Sequence, residues 1–365
     1  MNMKNDEYAR YDGLALFSGG LDSILAARLL MEQGKKILCL HFTSPFFGDE
    51  KAVPVWEKKY GLEIIAVDIA EEYCRMLCHN PANGFGSALN PCVDCKILMM
   101  KKAKTLMAQF GAKFLISGEV IGQRPMSQRR DTLHVIRRDA EVKDILLRPL
   151  CAKCMEPTPF ELSGEVEREK LLGIYGRGRK EQLALAKTFN ITDIPTAAGG
   201  CKLTEKENAR RYYEVMQKVQ HPSANDFFLA NHGRQLWGSQ PCNKNIWVSI
   251  GRKQADNEQM QQYKKSGDYV LRIEHFPSPY CIVRHTQNLP VPVEELRIIG
   301  SILASYSNKA YAFFAEKKER ISIKIEHEKA IERILVEPMR SEHYKELHFD
   351  EIKEELQKRK KNMAE

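Results

Sequence analysis

The sequence predicts an α/β protein, a doubly wound parallel sheet joined to a second, smaller α+β domain, and three observations carry that reading. Continuous apolar runs at residues 14–17, 37–42, 64–69 and 114–118 alternate with helical periodicities at 22–31, 53–60 and 93–110, the pattern of parallel strands buried on both faces. The first run stops at a glycine turn, Ser18-Gly19-Gly20-Leu21-Asp22-Ser23, and passes directly into a helix. After His221 the grammar changes to short strands at 246–250, 269–273, 280–284 and 321–326, the last alternating strictly between apolar and polar residues, as a half-exposed strand does.

In chain order, residues 1–13 read as an N-terminal tail, 14–220 as the first domain, 221–338 as the second and 339–365 as a charged C-terminal helix. Residues 152–178 are irregular, and a helix resumes at 180–189. Ala197-Ala198-Gly199-Gly200-Cys201 is a second glycine turn, followed by a charged helix at 204–219. His221-Pro222-Ser223-Ala224-Asn225 reads as the joint between domains. A single helix is expected over 292–314, and the tail carries a thin helical stripe of Tyr344, Leu347, Ile352 and Leu356. In an open α/β sheet ligands gather beyond the carboxyl ends of the strands, which is where the Ser18 turn lies.

At 365 residues the chain has room for two ordinary domains, and its formal charge of +8 suits an anionic macromolecular partner. The start, Met1-Asn2-Met3-Lys4-Asn5-Asp6, has no apolar signal core and no later stretch has bilayer-spanning length, so a cytoplasmic protein with no membrane partner is expected. Ten cysteines in such a chain argue for thiols, metal ligands or catalysis rather than a disulfide scaffold.

Paired glycines let a backbone approach an anion, the first N–H groups of the following helix point outward, and Ser18 and Ser23 add donors. The turn lacks the lysine and the longer spacing of a Walker loop. It resembles the PP-loop of the ATP pyrophosphatases, which split ATP between its α and β phosphates. That resemblance implies ATP at Ser18, Gly19, Gly20, Asp22 and Ser23, with Mg²⁺ on the pyrophosphate oxygens. Asp22, at a helix start, is expected to stay ionised and to orient the cation.

Cys92 and Cys95 open a helix in Asn90-Pro91-Cys92-Val93-Asp94-Cys95-Lys96, where the helix dipole and Lys96 are expected to lower a thiol pKa. With Cys201 they form a trio able to hold three irons of a [4Fe-4S] cluster, or to carry a persulfide on one sulfur and resolve it with another. A structural zinc shared with Cys151 and Cys154 is the competing arrangement.

The run Ser117-Gly118-Glu119-Val120-Ile121-Gly122-Gln123-Arg124-Pro125-Met126-Ser127-Gln128 resembles the second nucleotide loop of the 4-thiouridine synthetases, and the strand ending in His41-Phe42 resembles their adenine-side strand. By that likeness His41 and Phe42 flank the base, Lys96 stands near the nucleotide, and Gly118 and Gln128 line the site. Asn-Pro-Cys with Gly-Gly-Cys is similar to the cysteine pattern of the 2-thiouridylases. Residues 250–260, 278–285 and 304–310 resemble the RNA-binding domain of NFACT proteins, which implies phosphate contacts from Arg252, Lys253, Arg272, Arg284 and His285. Against that family, neither its tRNA-docking domain before Leu14 nor a rhodanese-like domain afterwards is expected, so sulfur is expected from a separate donor, a protein persulfide or sulfide.

Together these likenesses imply a tRNA uridine sulfurtransferase that adenylates a uracil carbonyl and releases AMP and pyrophosphate, with the oligomeric state open. A PP-loop ligase or amidase acting on a small molecule leaves the three cysteines idle, and an RNA-binding protein with a non-catalytic nucleotide site leaves the loop idle.

Overall fold

The computed structural model describes residues 11–196, 200–346, 350, 352 and 353. The chain divides after Lys202 into two compact units.

The first unit runs β1 (Gly13–Leu16), α1 (Leu21–Met31), β2 (Ile37–Thr43), α2 (Val53–Tyr60), β3 (Glu63–Asp68), α3 (Ala70–Cys78), α4 (Cys92–Phe110), β4 (Phe114–Ser117), α5 (Arg130–Asp139), β5 (Leu146–Leu147), α6 (Pro159–Leu162) and α7 (Lys180–Thr188). Its five strands lie in the order β3-β2-β1-β4-β5, all parallel, which is the expected doubly wound sheet. Every residue of β1 and β4 is buried, as central strands covered on both faces must be. Ile24, Leu25 and Leu30 of α1 are fully enclosed and share a core with Ile37, Cys39, Phe114 and Ile116. β1 is bracketed by β2 and β4, so strand order reverses there. The crevice outside a parallel sheet opens at such a switch point.

The second unit runs α8 (Lys206–Lys218), α9 (Ala224–Ala230), β6 (Arg234–Gly238), β7 (Ile246–Ile250), α10 (Gln254–Gln262), β8 (Tyr269–Ile273), β9 (Cys281–His285), α11 (Val293–Ser305), α12 (Asn308–Lys317), β10 (Ile321–His327), β11 (Ala330–Val336) and β12 (Tyr344–Lys345). Its sheet, β11-β10-β8-β9-β7-β6-β12, is antiparallel throughout. Leu296, Ile299, Ile302 and Leu303 of α11 share a core with Leu271, Val283 and Ile323 of the strands.

Four expectations change. The division falls at Lys202, not at 220, because α8 packs with α9: Tyr212 sets its ring 6.2 Å from Phe227 and its hydroxyl 2.5 Å from the Asn231 side chain. The residues read as a joint are a helix start, with Ser223 and Asp226 forming a capping box on α9. The helix expected over 292–314 breaks at Tyr306, since Ser307 accepts from the Ala310 amide and caps a new helix. Tyr344 lies in a strand paired with β6, with its hydroxyl bonded to Glu295, so an available sheet edge overrides the local helical period. The tail's other expected stripe residues Leu347 and Leu356, and the basic run 358–361, lie outside the described residues.

Asp226 also explains why Arg284 is not a surface cation. The Arg284 guanidinium is buried, 2.6 Å from Asp226 and 2.6 Å from Asp268, and Lys265 approaches Asp226 at 2.7 Å. Burial alone would raise the Asp226 carboxyl, but Arg284 and Lys265 hold it below the usual carboxylate range. Removing one partner of a buried network leaves charge uncompensated, at a cost of about 3–5 kcal/mol. Arg284→Gln is therefore expected to destabilise the second unit by roughly 3 kcal/mol, read as a lowered urea midpoint by tryptophan fluorescence. A change below ~0.5 kcal/mol would mean that the network carries no stability.

Candidate nucleotide and thiol site

The phosphate turn is tied to its own helix. Gly19 takes φ +76°, a left-handed conformation that a side chain disfavours. The Ser23 hydroxyl donates to the Gly20 carbonyl at 2.7 Å and accepts from the Ser18 amide at 3.3 Å. α1 starts at Gly20 without a side-chain cap, so its first N–H groups face the turn, with Asp22 the acidic residue of the first helical turn.

Asp22 sits where four residues not singled out in the sequence converge. Gln123 donates to Asp22 Oδ2 at 2.8 Å, while Oδ1 is buried without a hydrogen-bond partner. Burial raises the Asp22 carboxyl pKa, against the expectation, while Gln123, Arg179, Arg124 and Gln182 oppose the shift. Gln182, on α7, is wholly buried, its amide near enough to Asp22 to favour the carboxylate but short of a full hydrogen bond, and the Nε of Arg179 is likewise without a hydrogen-bond partner. The signal available in the sequence was the run Gly176-Arg177-Gly178-Arg179, arginines beside glycines just ahead of a helix. Gly118 lets this happen: a Cβ there would lie 2.5 Å from the Asp22 carbonyl oxygen and 2.7 Å from the Ser23 amide nitrogen. Gln128 closes the loop beyond, its carbonyl accepting from the Gly122 amide at 2.7 Å, and its Oε1 is buried without a partner.

On the adenine side the expectation needs correcting. His41 and Phe42 are neighbours within β2, so their side chains point to opposite faces of the sheet and cannot flank one base. His41 is buried, its Nδ1 3.1 Å from the Phe17 carbonyl and its Nε2 accepting from the Asp49 amide at 2.9 Å. Burial lowers its pKa below the ordinary histidine value, with the Phe17 bond and Asp49 opposing. The aromatic beside the turn is Trp56 of α2, 4.8 Å from the His41 ring and 5.5 Å from that of Phe17. A Cβ on Gly19 would meet its indole at 2.9 Å.

Cys92, Cys95 and Cys201 all lie within electrostatic reach of Tyr73. The Tyr73 phenol is buried, and its pKa is raised well above the ordinary value by burial first and then by Cys95, Cys201 and Cys92. The Cys95 thiol is pushed up to about 12 by burial, then by Cys201, with Lys96 and a Tyr73 hydrogen bond pulling the other way. That corrects the expected ready thiolate: desolvation outweighs the helix dipole and Lys96. Cys92 accepts from the Asn90 amide group at 3.1 Å. Tyr73 rests against Phe46 and Phe47 at 5.4 and 5.0 Å, and the Lys202 amide donates to the Phe46 carbonyl at 2.9 Å, which docks the Cys201 segment on the loop after β2. Residues 197–199 of the second glycine turn lie outside the described residues.

Lys96 joins this cluster to the nucleotide loop. Its ammonium is 4.0 Å from Glu119, which is buried and held by Arg148 at 3.0 Å. Cys151 donates to the Glu119 carbonyl and Cys154 to the Gly173 carbonyl, each at 3.2 Å, so the second CxxC pair is engaged with backbone. Among the described residues no three His, Cys, Asp or Glu side chains converge as closely as a single metal ion requires.

In the second unit Arg252, Lys253 and Arg272 are exposed, with Arg272 over the Tyr280 ring at 5.0 Å. Arg284 and His285 are buried and drop out as phosphate contacts. His285 accepts from the Gln287 amide at 3.3 Å. Trp247 is buried against Trp237, stacked at 5.1 Å.

A family model described as thiamine biosynthesis protein (ThiI) matches residues 9–156, and one described as NFACT protein RNA binding domain matches residues 240–348. The first match contains the Ser18 turn, Cys92, Cys95 and the loop after β4, and ends before Cys201. A probable tRNA sulfurtransferase of Thermococcus kodakarensis is 29% identical over 148 residues, which are 38% of this chain. The chain spans 36% of that curated relative's length. Among solved structures, a U34-tRNA thiolase from Methanococcus maripaludis with its [4Fe-4S] cluster aligns at 17% identity over 53% of this chain and 63% of its own, with a TM-score of 0.28. The C-terminal part of a fibronectin/fibrinogen-binding protein from Streptococcus suis aligns at 10% identity over 45% of this chain and 77% of its own, with a TM-score of 0.24.

Two outcomes test this geometry. Gly118→Ala is expected to push α1 away from the loop, weakening ATP binding at least ~10-fold with a stability cost of about 1–3 kcal/mol; an unchanged ATP-dependent melting shift would refute the close approach. His41 has a lowered folded pKa, so its contribution to stability is complete above the unfolded value of about 6.5 and declines as pH falls below it. His41→Asn should therefore flatten the fall in melting temperature between about pH 7 and 5, and an equally steep fall would mean that His41 is not held neutral.

Proposed function

We propose that the protein is an ATP-dependent, adenylating tRNA uridine sulfurtransferase. The observation that carries this reading is the gathering of Cys92, Cys95, Cys201 and Tyr73 on the side of the nucleotide loop marked by Lys96 and Glu119. A nucleotide hydrolase has no use for three thiols there.

ATP lies with its β and γ phosphates over the start of α1, where the backbone of residues 18–23 and the Ser18 and Ser23 hydroxyls donate to phosphate oxygens. Arg124 and Arg179, which already act on Asp22, spread positive charge over the pyrophosphate that departs. Asp22 turns its unpartnered Oδ1 to the Mg²⁺ that the polyphosphate carries, and that cation keeps the carboxylate ionised against its burial. The uracil carbonyl oxygen attacks the α phosphorus, the bond to the β-phosphate oxygen breaks, and pyrophosphate leaves. Hydrosulfide from a separate donor then adds to the activated carbon and gives up its proton, and the C–O bond to AMP breaks, so that C=S replaces C=O and AMP carries away the former carbonyl oxygen with no change of oxidation state.

Cys92, Cys95 and Cys201 hold the sulfur chemistry. Their donor set suits a [4Fe-4S] cluster: three soft thiols, of which Cys92 and Cys95 open one helix and Cys201 comes from a distant turn, beside a lysine that offsets the charge they carry when they ligate. When bound, such a cluster supplies an iron with no protein ligand at which sulfide can be held. Lys96 moderates the negative charge of the trio, and Tyr73 keeps its phenolic proton directed at Cys95.

The test is product analysis with tRNA present. Formation of AMP and pyrophosphate is expected to depend on tRNA, and ADP as the product would exclude the reading. Serine at positions 92, 95 and 201 together should abolish sulfur incorporation while tRNA-dependent pyrophosphate release persists. Retention of full turnover by that triple variant would instead favour ligation or amidation of a small molecule.

A further inference from the structure

The second unit contains a cleft of about 710 Å³ lined by Arg210 and Arg211 of α8, Arg234 of β6 and Arg252 beyond β7, with Tyr306 at its wall. Two carboxylates also face it, Glu207 and Glu346, and both are engaged by Arg210 at 2.8 Å. The other three arginines form no salt bridge among the described residues, although the charge of Glu346 reaches Arg211. Arg211 donates to the Ala230 carbonyl at 3.3 Å, and its Nε is buried without a partner. Arg252 donates to the Gly233 carbonyl at 2.7 Å. Arg234 lies over the Tyr306 ring at 4.5 Å. Burial first, and then the charge of Arg252, lowers the Arg211 pKa from the ordinary arginine value against the pull of Glu346, so the cleft carries positive charge that an anion would relieve.

Guanidinium forks match phosphate oxygens in geometry and charge. An arginine lying on an aromatic ring forms a flat shelf of the kind on which nucleobases stack, and that shelf distinguishes RNA from an acidic peptide. We propose that this cleft binds a phosphodiester of the RNA substrate, gripped by Arg211 and Arg252, with the adjacent nucleotide resting on Arg234 and Tyr306. The inference rests on the substrate being RNA. It extends the RNA-binding surface beyond the matched residues 240–348, since Arg211 and Arg234 lie upstream of them.

The experiment measures tRNA affinity of the full chain by fluorescence anisotropy without ATP, over a salt series, for Arg211→Gln, Arg252→Gln and the double variant, with melting temperatures as the check on folding. Each single variant is expected to lose roughly 10-fold in affinity and to make the log–log salt slope shallower by about one. Arg211→Lys should keep the slope, because the charge remains, while losing part of the affinity. A double variant that melts normally and binds tRNA with wild-type affinity and slope overturns the proposal. So does a double variant that keeps its tRNA affinity but loses stabilisation by inorganic phosphate, since the cleft is then a small-anion site. If the unaltered chain retains no tRNA, the sulfurtransferase reading falls and the cleft with it. If tRNA-dependent AMP formation survives while the double variant binds RNA normally, only the cleft assignment falls.

Discussion

The first unit depends on one close approach, the passage of the chain at Gly118 across the opening turn of α1. Only a residue without a side chain lets the chain just after β4 pass there, since a Cβ on Gly118 would lie 2.5 Å from the Asp22 carbonyl oxygen. The next residue, Glu119, is consequently buried at the head of the sheet and needs cations, which Arg148 and Lys96 supply. Lys96 cannot reach Glu119 unless α4 starts beside the nucleotide turn. The start of α4 is where Cys92 and Cys95 sit. A backbone contact thus fixes the relation between the phosphate turn and the thiols, without any direct bond between the two.

What the sequence disclosed follows from the range of the forces involved. Strand burial and helix periodicity are local, and both sheets' principal strands were legible, as was the turn at Ser18. β6 and β11 escaped because Arg234-Gln235-Leu236 and Ile331-Glu332-Arg333 are polar enough to read as loop, and neighbouring strands make them strands. The trio of cysteines was legible as a set, since their placement at glycine turns and a helix start is a local feature. The raised pKa of Cys95 was not, because desolvation depends on which side chains the fold packs over it. Arg179 and Gln182 come from a helix more than 150 residues after Asp22, and no local pattern ties them to it.

The second unit shows how charge in a sequence misleads about surfaces. Arg284 and His285 look as cationic as Arg252 and Lys253, but they lie on a central strand, β9, between β8 and β7. A guanidinium there is tolerable only where carboxylates converge, and Asp226 and Asp268 do so. The capping box at Ser223 fixes the carboxyl of Asp226 toward the interior, which is why a stretch that reads as a linker is an anchor. Positive charge outside any salt bridge among the described residues is found instead at Arg211, Arg252 and Arg234, the first two donating to backbone carbonyls and the third lying over Tyr306.

The same reasoning about unpaired groups applies to the nucleotide turn. Asp22 Oδ1, Gln123 Oε1 and both amide atoms of Gln182 are buried and unsatisfied, as is Arg179 Nε, and each such group costs about 1–3 kcal/mol. A core as tight as that around Ile24, Leu25 and Leu30 can hold them in place at that cost, but it cannot satisfy them. Three are acceptors and two are donors. A polyphosphate bearing a hydrated cation offers both kinds of partner, water protons for the acceptors and phosphate oxygens for the donors. The turn is therefore organised before its ligand arrives, and stabilisation deferred from folding is recovered on binding.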